Sequence, residues 1–350
     1  MRFAAHYHTT YIPELDGSGS QFYDHLFEQM ELLDRLGYDD VWVTEHHFSE
    51  YGGMIPHPPT FLSAIARTTH QIHLGTAVAV LPVQNPIQAA EAYAMVDVVS
   101  HGRLEFGVGR GNNKFESDAF GFDYDTSPER MRHGTEVMLR AWSEGAVDWQ
   151  GREDHYDQLR ILPRVVQHPH PPVWVGASRS EDSYRWAGLN GFHLMVLPYL
   201  IPPDVLLPRI QIWRDALAEG SHDPATHELL GKFHVYVGES PEAVRREAVP
   251  YYDNYRRISA AHLGRSLNLE REPIEEMIAK GDMIAGTPKQ CIEHIQRWHD
   301  LLGITCLSGT VHFGGMPHEL ALQNINLFAS EVMPAFDRTV AARMPVLSEK

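Results

Sequence analysis

Two adjacent histidines follow a glutamate in the run Thr44–Phe48, TEHHF. An imidazole gives or takes a proton near neutral pH, so His46 and His47, with Glu45 beside them, are candidate general acids or bases. Neighbours on a strand point to opposite faces, so only one of the two histidines can face a common site squarely. A second run, FGVGRGNN (Phe106–Asn113), combines glycines at 107, 109 and 111 with Arg110. Glycine lets a ligand approach the backbone closely, and the guanidinium offers a fork of donors for an anion. In the third, VGASRSEDSYRWA, Ser178, Ser180 and Ser183 surround a helix start, with Arg179 adjacent and Glu181 and Asp182 in its first turn. Free N–H groups and hydroxyls at a helix start bind phosphate, although ordinary capping uses the same residue types. Arg110 on a neighbouring strand end tips the balance towards a phosphate site.

His6 and His8 are spaced to lie on one face of a strand, which is also a metal-ligand spacing. A metal-dependent hydrolase on a barrel would need further histidines after the fifth and sixth strands and a carboxylate after the eighth. The fifth predicted strand ends in Ser and Arg, His193 opens the sixth rather than closing it, and ITCLSGTVHFGG carries no Asp. No metal is expected. A dinucleotide fingerprint is set aside as well, because the glycine-rich run is expected to continue as a polar loop to Pro128 rather than open a helix.

These residues need elements to hold them. Eight short β-branched runs alternate with helical patterns: Phe3–His8, Asp40–Glu45, Ile72–Val80, Arg103–Gly109, Val173–Ala177, His193–Leu197, Lys232–Val237 and Ile304–Ser308. Between the first two, Phe22, Leu26, Phe27, Met30, Leu33 and Leu36 follow the spacing of a one-faced helix, with Gly37 placed to end it. Eight strand–helix pairs predict an α/β fold, a (β/α)8 TIM barrel, whose active site gathers at the C-terminal strand ends. The surplus length falls after strand 4 (Gly111–Ser127), before strand 5 (Ala146–Pro172) and before the last helix–strand pair (Tyr251–Gly286). The third surplus is long enough for an active-site lid. No linker or repeat divides residues 1–350, so one domain is expected.

Composition narrows the partners. The 350 residues hold 29 Lys+Arg against 46 Asp+Glu, a formal charge of −17, which argues against a nucleic-acid footprint. The longest apolar run, Leu74–Val83, is far shorter than the ~20 residues of a membrane span. Two cysteines make no disulfide framework, and the first residues lack a signal-peptide pattern, so a soluble cytoplasmic protein is expected.

Six segments, in order along nearly the whole chain, resemble the bacterial luciferase-like flavin monooxygenases: Gly37–Gly53, Leu74–Glu91, Gly102–Gly121, Ser178–Gly191, Ala285–Gln296 and Gly314–Leu322. The resemblance implies a barrel that takes reduced FMN from a separate flavin reductase. Through a peroxyflavin, O2 then oxygenates a small organic substrate, often an aldehyde or related carbonyl compound. By position His46 resembles the family's catalytic histidine, flanked by Glu45 and His47. Arg110, the backbone around Asn112, Ser180 and Ser183 would hold the FMN phosphate. Arg179 stands where luciferase has an acidic residue, and Gly109 where its light-emitting subunit has a cysteine. Ala77 and Val78 resemble the residues whose backbone lies against the flavin ring, where a non-proline cis peptide can occur. His6, Tyr7, His8 and Tyr199 would make the substrate pocket more polar than a long-chain aldehyde needs, so light emission is not expected. A homodimer is implied by resemblance only. The alternatives are a deazaflavin-dependent oxidoreductase on the same barrel, a non-catalytic flavin-binding partner subunit and, behind these, the metal-dependent hydrolase. The retained His46, Arg110 and serine cluster argue against the non-catalytic subunit.

Overall fold

A computed structural model of the chain describes residues 1–151, 154–262, 274–280 and 283–338. The first long helix shows how local sequence builds the scaffold. It runs Gly19–Leu36, opened by a capping box between Ser18 and Gln21 that satisfies N–H groups the helix cannot pair itself. Phe22, Leu26, Met30 and Leu33 form its buried face. Gly37 ends it at φ 75°, a left-handed turn whose N–H returns to the carbonyls of Leu33 and Asp34.

Eight parallel strands close into a barrel: β1 (Arg2–Tyr7), β2 (Asp40–Val43), β3 (His73–Thr76), β4 (Leu104–Gly109), β5 (Val173–Gly176), β6 (His193–Val196), β7 (Leu229–Val237) and β8 (Cys306–Thr310). Each pairs with the next, and β8 returns to β1 with Leu307 opposite Phe3. Helices cover the outside, as alternation along the chain predicts.

The structure departs from the sequence reading in local detail. The third strand ends at Thr76 instead of running to Val80; the Ala77–Val78 peptide is cis, and pairing with β4 resumes at Ala79–Val80. The seventh strand begins at Leu229 rather than Lys232. The loop after β4 holds a seven-residue helix, Lys114–Phe120, where only polar loop was expected. An antiparallel hairpin, Val147–Gln150 with His155–Leu159, fills much of the segment before β5. A short strand not foreseen, Met283–Gly286, pairs with the upper half of β7. Of the expected lid, Val249–His262 and Ile274–Lys280 are helical, while residues 263–273 and 281–282 lie outside the described residues.

Side chains plug the lower half of the barrel. Trp42 and Trp174 meet edge to face at 5.3 Å among Ala4, Met195, Leu230 and Cys306. A Cβ on Gly75 would stand 2.1 Å from the Trp42 ring, so this floor requires glycine there. Beneath it Arg2 is ion-paired with Asp40 and Glu228, with Glu105 3.8 Å away. Below the cavity the barrel is closed by packing and charge pairing, and the open space lies at the C-terminal strand ends.

Candidate active site

That space is a cavity of about 640 Å³. His6 and His8 reach its wall from the end of β1, Glu45 and His46 from β2, Ala77 and Val78 from β3, and Gly109, Arg110 and Asn112 from β4. Arg179, Ser180 and Ser183 follow β5, and Tyr199 follows β6. Of the predicted residues Tyr7 and His47 turn elsewhere: the Tyr7 hydroxyl donates to Gln29 at 3.0 Å on the helix side of the barrel wall, and His47 lies beyond the end of β2. The His47 ring bonds Glu45 at 3.1 Å and packs edge-on against Phe120.

Glu45 acts as a strap between strand ends. Its buried carboxylate accepts the Val80 N–H at 2.8 Å, the Gln84 amide at 2.8 Å and the His47 Nε2 contact. The chain just past the cis peptide is thereby tied to β2.

His46 is oriented by groups from the loop after β4. Its Nδ1 lies 3.3 Å from Oε1 of Glu116, which also accepts the His47 N–H at 3.0 Å and the Asn113 amide at 3.1 Å. Burial alone would raise the Glu116 carboxyl, but the bonds from His46 and the His47 N–H outweigh it and hold the group below the usual carboxylate range. When Nδ1 carries a proton the ionised Glu116 accepts it, and Nε2 is then the ring atom that exchanges a proton; when Nδ1 is bare it accepts the Asn113 amide at 3.2 Å instead. Asn113 stands at the N-cap position of the short helix yet makes no capping bond, because its amide is turned to Glu116 and His46.

The opposite wall is built for an anion. Helix Glu181–Leu189 opens into the cavity, and Ser180, its N-cap residue, makes no side-chain bond to it. The Ser183 N–H returns to the Ser180 carbonyl at 3.0 Å, which leaves the Glu181 and Asp182 N–H groups and the Ser180 hydroxyl uncommitted among the described residues. Arg110 stacks over Tyr124 at 5.3 Å, and Arg132 is paired with Asp182 beneath the same rim. Between the walls, a Cβ on Gly109 would strike Val78 at 2.2 Å and one on Gly176 would come within 2.8 Å of it. The two glycines make room for Val78 to enter the cavity.

A family model described as luciferase-like monooxygenase matches residues 3–305. The chain belongs to that family. A relative from Sinorhizobium fredii, y4wF, is 33% identical over 64% of this chain and 65% of its own length. The oxygenase component of the flavin-dependent trigonelline monooxygenase of Acinetobacter baylyi is 25% identical over 98% of each. Among solved structures, the monooxygenase RslO1 from Streptomyces bottropensis superposes with a TM-score of 0.90 at 28% identity, covering 96% of this chain and 99% of that one. The monooxygenase class expected from the sequence is the one these likenesses support.

Within this luciferase-like barrel, several residues in and behind the cavity wall escaped the sequence reading. Glu116 and Asn113 sit in an insertion with no periodic pattern to mark them; only their spacing of three across a helix start hinted at a shared face. Lys232 on β7 is 5% exposed, and desolvation pushes its ammonium down to about 7. Tyr252, Tyr255 and Ser259 reach the cavity from helix Val249–His262, so the first part of the expected lid forms a wall. Among the described residues, no helix is long and apolar enough to cross a membrane.

Proposed function

We propose that this chain is the oxygenase component of a two-component monooxygenase that takes reduced FMN from a separate flavin reductase and uses O2 to oxygenate a small organic substrate. The observation that carries the reading is one cavity with an anion cradle on one wall and an oriented histidine on another. The donor set fits the cofactor. Arg110, Ser180, Ser183 and the N–H groups of helix Glu181–Leu189 would hold a phosphate, and the glycine-relieved cleft beside Ala77 and Val78 would accept a flat ring.

Bound reduced FMN would supply the two electrons with which O2 is split between the substrate and water. The protein's own part is positioning and proton control. His46 exchanges a proton at Nε2 while Glu116 stabilises the imidazolium that results. Tyr252, Tyr255 and Ala260 line the cavity from helix Val249–His262, and apolar surface there limits the water that reaches the reacting atoms. The carbonyl substrate class, the homodimer and the reductase partner follow from the family resemblance and belong to the same proposal.

Anaerobic fluorescence titration with reduced FMN and, separately, with a reduced 5-deazaflavin tests the cofactor. Saturable binding of FMN well below the concentration needed for the deazaflavin is the expected outcome. The reverse order would replace the oxygenase with the deazaflavin oxidoreductase.

A further inference from the structure

The cavity wall away from the anion cradle carries a second set of polar groups, which the proposed proton chemistry leaves unused. His6 and His8 line it from β1 and its end and Lys232 from β7, while His234, also on β7, packs against Tyr252 and Tyr255 of the same wall. All four are at most 5% exposed. Among the described residues, His6 Nε2 and both ring nitrogens of His8 and of His234 have no hydrogen-bond partner. Ser308 Oγ lies 3.5 Å from His6 Nδ1.

Among the described residues Lys232 forms no ion pair, and its ammonium lies 5.9 Å from the Tyr199 ring centroid. The charged groups that act on His8 are His46, Lys232, His6 and His234, every one of them a potential cation. A buried ammonium without a counter-charge, beside unpaired imidazole nitrogens, is costly in a finished protein interior. The arrangement becomes favourable when a negatively charged ligand arrives.

The same region is faced with flat rings. Tyr51 packs on His8 at 4.0 Å, and Tyr255 packs on His234 at 4.3 Å. The hydroxyls of Tyr51 and Tyr255 are 3.2 Å apart, and Ser259 donates to Tyr51, so the rings are held in place. Flat, fixed aromatic walls favour a planar guest.

We infer that this end of the cavity binds the substrate as a planar aromatic molecule through an anionic oxygen, carboxylate or phenolate, with Lys232 as its counter-ion and His8 and His6 as further donors. The inference rests on the proposed function in one respect: the flavin occupies the Arg110 and Ser180 side. An anion beside Lys232 restores the charged form that burial disfavours, so binding and protonation of the lysine are linked.

The test uses two matched pairs of probes on the full chain, with and without oxidised FMN: 2-naphthoate with methyl 2-naphthoate, and 4-nitrophenol with 4-nitroanisole. Calorimetry should show at least one acid binding tenfold or more tighter than its neutral methyl derivative. Which acid it is separates the carboxylate from the phenolate, and 4-nitrophenol bound at pH 6 as phenolate would turn yellow. Lys232→Met, which removes a buried charge and should fold, is expected to abolish the preference, and Lys232→Arg to restore part of it. Equal binding of acid and derivative, no binding of either, or a preference that survives in Lys232→Met would overturn the proposal. So would a loss of FMN affinity in Lys232→Met with the acid preference intact, since the lysine would then serve the flavin ring. A lysine-dependent acid preference in a protein that binds no FMN would support this anion site while refuting the FMN reading above.

Discussion

His46 Nδ1 lies 3.3 Å from Glu116 Oε1, and 70 positions separate the two residues along the chain. The carboxylate holds the imidazole from behind while the other face of the ring looks into the cavity. This pairing fixes the orientation of the ring and gives its protonated form a counter-charge.

His46→Ala should keep FMN affinity within about threefold while lowering substrate oxygenation by roughly 10²-fold or more, the usual reach of a positioned acid–base group. Glu116→Gln keeps the shape and loses the charge, so a fall of about tenfold is expected. Product formation per FMN oxidised, measured beside equilibrium FMN binding, checks both. Undiminished turnover in His46→Ala would remove the residue from the chemistry.

Arg110→Ala should weaken FMN by about 10- to 100-fold, the worth of a charge-assisted bond, and leave riboflavin nearly unaffected. Fluorescence titration with both ligands reads the difference directly. Equal losses for the two would place the phosphate elsewhere.

Gly109→Ala puts a methyl group where Val78 already stands, 2.2 Å from its Cγ2. Overpacking of this kind costs about 1–3 kcal/mol, and displacing Val78 would also reshape the proposed ring cleft. Denaturant unfolding and FMN titration should both register the substitution. A variant with unchanged stability and FMN affinity would show that the cleft tolerates the extra carbon.

Lys232 predicts a pH signature in stability. Below about 7 the folded and unfolded chains both hold its proton, and the burial penalty is fully present. Above that, the folded lysine is neutral while the unfolded one stays charged up to its ordinary value of roughly 10.4. Stability should therefore rise with pH across this window, by about 1.4 kcal/mol per unit, relative to Lys232→Met. Parallel curves for the two proteins, from thermal unfolding between pH 6 and 10, would contradict a buried unpaired ammonium.

The barrel was legible because each strand and helix carries its own periodicity. The residues at strand ends then follow from the fold and the resemblance, so of the fifteen site residues expected from the sequence all but Tyr7 and His47 line the cavity. What stayed hidden lies off those patterns. Glu116 and Asn113 belong to an insertion, and their pairing with His46 is a contact across 70 residues that no local signal announces. Lys232 reads as an outward-facing strand residue, since lysine is seldom buried. Met283–Gly286 lies at the end of a charged segment and adds to the barrel as a branch on β7 rather than as one of its eight staves, so strand–helix alternation does not announce it.

The central claim is that this cavity holds reduced FMN and controls its reaction with oxygen. The direct measurement mixes the protein, saturated anaerobically with reduced FMN, with oxygenated buffer and follows oxidised FMN by absorbance. The account predicts that oxidised FMN appears severalfold more slowly than from free reduced FMN, and that His46→Ala changes this time course. The time course of free flavin, unaltered by a saturating amount of protein, would contradict it.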